Sequence, residues 1–380
     1  MFSFRALSCA LGFILGSGIF FISSSAEAKE MIRVLVLKDV SQVKVSGQQL
    51  ALRDMKTGQT VLKKAGFSSL IIEREAASRL KVRGRPISAQ GFLLTSSRGP
   101  AAINGRWYRH KLKIIPGPNR DLRVINELPL EDYLVGLINY EISSQWPLEA
   151  VKAQTVVARS YAIFQKRNRA GELHDVESTV IDQVYGGVGG EDLRSRQAVM
   201  QTKGETLFYR GSPIFAVYHA CCGGKTEMPH HLWAGNFPYL RSIICNSCLD
   251  SPHFLWNYQA DSLSLAKALG KKEFMSLQVT GIEVTERSES GRVLRLSIKG
   301  EKDEMDISGK EFRRLLGYDL LRSTNFWVEE RDHFYSFSGL GWGHGVGLCQ
   351  WGAKGMAEKG MDYRAILAHY YQNVELKRIF

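Results

Sequence analysis

The stretch from Leu148 to Phe164 limits the possible folds of this chain more than any other. Leu148, Val151, Thr155, Ala158 and Ala162 recur at spacings of three and four, with a second stripe beside them of Ala150, Ala153, Val157, Tyr161 and Phe164. So wide a face of small and apolar residues belongs to a helix packed closely on both sides. A second helix is expected just before it, because Pro129 and Pro147 each stand where proline is tolerated, in the first turn of a helix. Glu131, Asp132 and Glu149 fall in those first turns, where the helix dipole favours negative charge.

Glu141 is placed differently from these acids. It lies near the end of the first helix, where carbonyl dipoles disfavour an anion, with Tyr140, Ile142 and Trp146 close in sequence. Two readings fit the residues. One is a solvated glutamate at a frayed helix end; the other is a carboxyl whose pKa rises through the dipole and desolvation. A carboxyl of the second kind is what a general acid for glycosidic cleavage requires.

Three blocks carry a family resemblance. They are LPLEDYL (128–134) running on to WPLEAVKAQTVVARSYA (146–162), VYHACCGGKTE (217–227), and GLGWGHGVGLCQWGAKGMAEKGMDYRAILAHYY (339–371). In this order they resemble the SpoIID/LytB family of stage II sporulation protein D and amidase enhancers. The resemblance implies peptidoglycan glycan strands as substrate and a lytic transglycosylase activity resting on the glutamate at Glu141. It also implies substrate contacts at Asp182, Gln183, Tyr185 and His344; Gln154, Arg159 and Gln350 within the blocks are further candidate contacts, and Trp233, in the aromatic WAGNFPYL segment, reads as a groove wall for sugar stacking or equally as a core side chain. Taken by themselves, Asp182, Gln183 and Tyr185 read equally well as turn residues with an aromatic plug, and His344 as a satisfied buried histidine. The amidase-enhancer side of the family implies a second function, that of a glycan-binding activator of a cell-wall amidase.

Five cysteines follow the leader region: Cys221, Cys222, Cys245, Cys248 and Cys349. Pairing His219-x-x-Cys222 with Cys245-x-x-Cys248 gives three thiolates and an imidazole, a tetrahedral zinc set. Cys221 can replace Cys222 in that set, and a Cys245–Cys248 disulfide is the rival reading. The resemblance implies zinc near the groove in some family members. A zinc hydrolase is disfavoured, since no HExxH pair occurs and a three-thiolate site is usually closed. The glycines of 339–352 yield no GxGxxG, which excludes a dinucleotide reading.

Residues 1–28 read as a secretory signal peptide with cleavage after Ala28, which makes the protein exported, periplasmic or of the cell envelope. About 350 residues remain, enough for one large or two modest domains. The net charge of +12 allows nucleic acid, an anionic membrane surface or an acidic polymer as partner. Export and the lack of a nucleic-acid fingerprint exclude the first. Glycan strands carry a lactyl carboxylate on each muramic residue, free once the stem peptide is gone, and suit a basic groove. Residues 29–125 alternate as short strands and form a β-rich region, and 126–380 form the domain carrying the blocks. The expected architecture is α+β: mixed and antiparallel sheets around a buried central helix, with an N-terminal β-rich lobe.

Overall fold

The structure, a computed structural model, describes residues 29–76, 79–180, 182–270, 274–332 and 334–380; the expected signal peptide lies outside them. The fold is α+β, in agreement with the patterning. Strand Met31–Val40 lies inside its sheet, pairing antiparallel with Leu122–Pro129 on one side and parallel with Val176–Glu177 on the other. Ile32 and Val34 face the large core, while Leu35 is buried in a separate small cluster with Ile115 and Ile125, so simple alternation of buried and exposed residues fails there. Strands Lys111–Pro116, Phe92–Ser96, Leu50–Asp54 and Thr60–Lys63 complete a seven-stranded sheet. A six-stranded antiparallel sheet is centred on Gln42–Gln48 and Phe67–Ala76, and its Val43, Val45, Leu70 and Ile72 share one core with Leu52, Phe92, Leu94 and Ile114.

Strand Leu122–Pro129 runs directly into helix α1 (Leu130–Glu141), with Pro129 as its N-cap. The division expected between 125 and 126 falls inside this strand, so the β-rich stretch and the residues after it share a sheet. Helix α2 (Leu148–Asn168) is the buried central helix that its two stripes predict. Val151, Ala158, Ala162 and Ile163 face the first core, while Ala153, Val156, Val157 and Tyr161 face a second built with Val217, Leu348, Ile366 and Tyr370. Ala158 and Ala162 are fully buried, and larger side chains there would overpack by about 1–3 kcal/mol.

Helix α3 (Leu193–Gln201) packs on both α1 and α2. The chain then forms an inserted lobe with its own core of Trp256, Leu296, Phe312 and Phe337, holding helices α4 (Ser262–Leu269) and α5 (Gly309–Leu316). A charged clamp fastens the lobe back. Arg292, buried, donates to the carbonyls of Cys222 (2.6 Å) and Lys225 (3.0 Å), and the buried Glu227 carboxylate accepts from Ser290 at 2.8 Å. Helices α6 (Gln350–Glu358) and α7 (Tyr363–Tyr370) close the second core beside α2. Among the described residues no helix is long and apolar enough to cross a membrane.

Candidate active site

Glu141 is the last residue of α1, and no basic side chain offsets the helix dipole in that turn. The helix is closed by the Ile142 amide, which donates to the Ile138 carbonyl at 2.9 Å. The 182–190 segment is pressed against the same helix because Gly136 has no side chain: a Cβ there would lie 2.7 Å from the Gly187 carbonyl oxygen. That close approach brings the Val184 N–H to Glu141 Oε1 at 2.9 Å. Tyr218 makes the second hydrogen bond to the carboxyl. Burial raises the Glu141 pKa from 4.5 to about 7, and the bonds from Val184 and Tyr218 hold it from going higher. Of the two readings for this residue, the structure supports the perturbed carboxyl.

Tyr218 is part of a chain of hydrogen bonds. Tyr133 Oη donates to Gln183 Oε1 at 3.0 Å, and Gln183 Nε2 donates to Tyr218 Oη at 3.2 Å. His344 holds the strand from behind. The Val346 N–H donates to its Nδ1 at 3.1 Å, so Nε2 carries the proton and donates to the Tyr218 carbonyl at 2.9 Å. Burial, with Arg313 adding to it, pushes the His344 pKa down to about 3 and keeps the ring neutral.

These groups open on a groove of about 480 Å³ whose walls include Glu141, Asp182, Phe215, Trp233, Trp342 and Gln350. Trp233 meets Phe215 and His344 edge-on, with ring centroids 5.4 and 5.1 Å apart. Flat apolar walls around a protonatable carboxyl suit a sugar polymer. A separate cavity of about 420 Å³ is lined by Glu205, Leu207, Arg364 and Arg378. Its carboxylate already binds Tyr363 Oη at 2.8 Å and both arginines, leaving no free group for chemistry.

The structure distributes the other sequence candidates unevenly. Trp233 and Gln350 line the groove, and Gln350 Nε2 reaches Gln154 Oε1, at 3.5 Å, on the buried α2 behind it. Asp182 lines the groove while its carboxylate binds Arg169 (2.6 Å), Tyr161 Oη (2.8 Å) and the Glu177 N–H (2.8 Å), which anchors the segment. Gln183 is buried under Tyr218 and supports it. His344 lines the groove, but both ring nitrogens are taken by the main chain, so it does not offer a donor to a sugar. Tyr185 is a core plug: it is 2 % exposed, packs on Tyr133, and donates to Asn126 Oδ1 at 3.1 Å. Arg159 is fully buried, donating to the Glu131 carboxylate at 2.7 and 2.9 Å and to the Glu205 carbonyl at 3.0 Å; it stabilises the core and does not reach the groove. Sequence reasoning missed Tyr218, although it lies within the VYHACCGGKTE block. Nothing in the pattern decides whether Tyr218 or His219 faces Glu141.

The expected metal set is corrected at one position. Cys222, Cys245, Cys248 and Cys349 bring their sulfurs within 4.8 Å of one another, all buried, whereas His219 turns away and donates from Nδ1 to the Val346 carbonyl at 3.1 Å. Cys349 replaces it because the N-terminus of α6 places its sulfur there: Cys349 is the N-cap, and the N–H groups of Gly352 and Cys222 point to its sulfur at 3.3 Å. Tetrahedral zinc with four sulfurs at ~2.3 Å needs sulfurs about 3.8 Å apart, and Cys222 and Cys248 are 3.5 Å apart. The described cysteines are all free, so the disulfide reading is not realised, and Cys221 lies outside the set.

Two family models match the chain: SpoIID, stage II sporulation protein, over residues 118–209, and a domain of unknown function, DUF8618, over residues 238–347. Stage II sporulation protein D of Bacillus amyloliquefaciens is 30% identical over 269 residues, covering 66% of this chain and 75% of that protein. The amidase enhancer of Bacillus subtilis is 30% identical over 291 residues, 64% of this chain but only 40% of the longer enhancer. An uncharacterized protein of Brachyspira hyodysenteriae is 34% identical over 298 residues, 78% of this chain and 79% of its own length.

Proposed function

The chain belongs to the SpoIID family, and from that membership and the geometry of Glu141 we propose that it is a peptidoglycan lytic transglycosylase acting on peptide-stripped glycan strands. The observation that carries this reading is a carboxyl with a pKa of about 7 at the wall of an aromatic groove. At neutral pH a useful fraction of Glu141 holds a proton and can give it to the glycosidic oxygen as the C1–O bond breaks. The C6 hydroxyl of the same muramic residue attacks C1, and its proton returns to the Glu141 carboxylate. The product is a 1,6-anhydro end, and no water is added. No second carboxylate is needed to position a nucleophile, which accords with an Asp182 fully occupied by Arg169 and Tyr161.

Tyr218 and the Val184 N–H position the carboxyl and stabilise its anion after proton transfer. The four cysteines fit one structural zinc, which would tie the 218–224 segment to the 245–248 turn and the start of α6. A zinc there would neutralise four thiolates and tie these segments together, while the cleavage steps rest on Glu141. The substrate lies outside the cytoplasm, so export through residues 1–28 belongs to this reading.

The similarity to the amidase enhancer favours a second reading, a non-catalytic glycan binder that activates a cell-wall amidase. Incubating the purified protein with stripped and intact strands, with no amidase present, separates the two. Shorter chains with anhydromuramic ends, from the stripped sample alone, support the transglycosylase. Unchanged chain length in both samples supports the activator.

A further inference from the structure

The inserted lobe sets a cation against a tryptophan of the groove wall, and among the described residues no acid pairs with it. Arg322 follows α5, and its main chain is pinned from two sides. Its carbonyl accepts the Gly343 N–H at 2.9 Å and the Arg313 guanidinium at 2.8 Å. Its own guanidinium, half-buried, lies 4.8 Å from the centroid of the Trp342 ring. Trp342 lines the groove together with Glu141 and meets His253, also in the groove wall, edge-on at 4.7 Å. Among the described residues no carboxylate pairs with Arg322, whereas Arg33, Arg159, Arg169 and Arg314 each close on an acid at 2.6–2.7 Å. His253 is kept neutral by burial and by Arg322 itself, and its Nδ1 is buried without a partner.

A guanidinium over an indole, with no carboxylate partner among the described residues, matches a ligand that presents a sugar ring and one carboxylate. The planar fork of arginine suits a carboxylate bidentately, which a lysine ammonium does not reproduce. In a glycan strand the muramic residue carries such a group on its lactyl ether, and only after the stem peptide is removed. With the peptide attached the same position is a neutral amide. We propose that Arg322, carried on Trp342, reads the free lactyl carboxylate of a peptide-stripped muramic residue and so sets the preference for stripped strands. This assignment rests on the glycan reading of the groove and adds to it the group that distinguishes the two substrate forms.

The test measures binding without turnover, using the whole chain with Glu141→Gln to block cleavage. Short peptide-free strands are titrated beside the same strands with their carboxylates converted to methylamides. The parent should bind the acid form at least about tenfold more tightly, the scale of one charge-assisted hydrogen-bonded pair. Arg322→Ala should lose about that factor on the acid form, leave the methylamide affinity unchanged, and erase the preference. Arg322→Lys should recover only part of it. Near-ultraviolet circular dichroism of the tryptophans confirms the fold of each variant. Equal weakening on both ligands, or an intact preference in Arg322→Ala, overturns the assignment while leaving the glycan groove standing. Failure of the parent to bind either ligand overturns the glycan reading itself, and the Arg322 assignment with it.

Discussion

Replacing Glu141 with Gln removes a charge while keeping size and partners, since an amide oxygen still accepts from the Val184 N–H and the amide still bonds Tyr218. Burial sets the Glu141 pKa at about 7 in the folded chain, against 4.5 for the ordinary side chain. At ~1.4 kcal/mol per pH unit, that gap makes the ionised form about 3 kcal/mol harder to hold folded than unfolded. The folded pKa is the higher of the two, so the folded state carries the extra proton between pH 4.5 and 7. Below pH 4.5 both states are protonated, and wild type and Glu141→Gln should have nearly equal stability. As pH rises above 4.5 the wild type loses stability relative to the variant. By pH 8 the Gln variant should be the more stable by up to about 3 kcal/mol, a gap of a few degrees in Tm for a chain of this size. Urea unfolding of both proteins at pH 4, 5, 6, 7 and 8 measures the gap directly. A gap that is flat with pH, or one that opens as pH falls, would refute a carboxyl of raised pKa at this position.

Three other outcomes follow from the same geometry. Glycan cleavage should fall on the alkaline side with an apparent pKa near 7, and Tyr218→Phe should move that limb to higher pH by removing a bond that favours the anion; an unmoved limb contradicts the role given to Tyr218. Purified protein should hold about one zinc per chain, lost with a fall in Tm in Cys349→Ser but retained in His219→Ala; the opposite pattern would restore the histidine to the site. Arg159→Met should destabilise the fold by about 3–5 kcal/mol, because Glu131 and the Glu205 carbonyl lose a buried partner, while the protein that remains folded binds glycan as before; selective loss of glycan binding would place Arg159 in the groove after all.

The sequence exposed the frame of this molecule through periodicity. The double stripe of α2 predicts a helix between two cores, and Val151 and Val157 do face different ones. Glu141 was legible because a helix end has a fixed polarity and the family blocks mark it. Residues distant in sequence were harder to place. Arg159 and Tyr185 belong to motif blocks, yet a motif residue can be kept by its packing: one pairs with Glu131, the other plugs a core between Tyr108 and Tyr133. Cys349 lies 101 residues after Cys248 in a glycine-rich block, so spacing alone could not choose it over His219. Arg322 has no local signal at all; only the return of the inserted lobe to the GWGHG loop sets it on Trp342.

The central claim is that the Glu141 proton breaks the glycan strand. The most direct measurement is the yield of 1,6-anhydromuramic ends, by mass spectrometry, from peptide-free strands given to wild type and to Glu141→Gln at pH 6, with no amidase present. Anhydro ends that accumulate with wild type and stay at background with the Gln variant, while both proteins bind the strands equally, are the predicted result. Equal yields from the two proteins, or none from wild type, would contradict it.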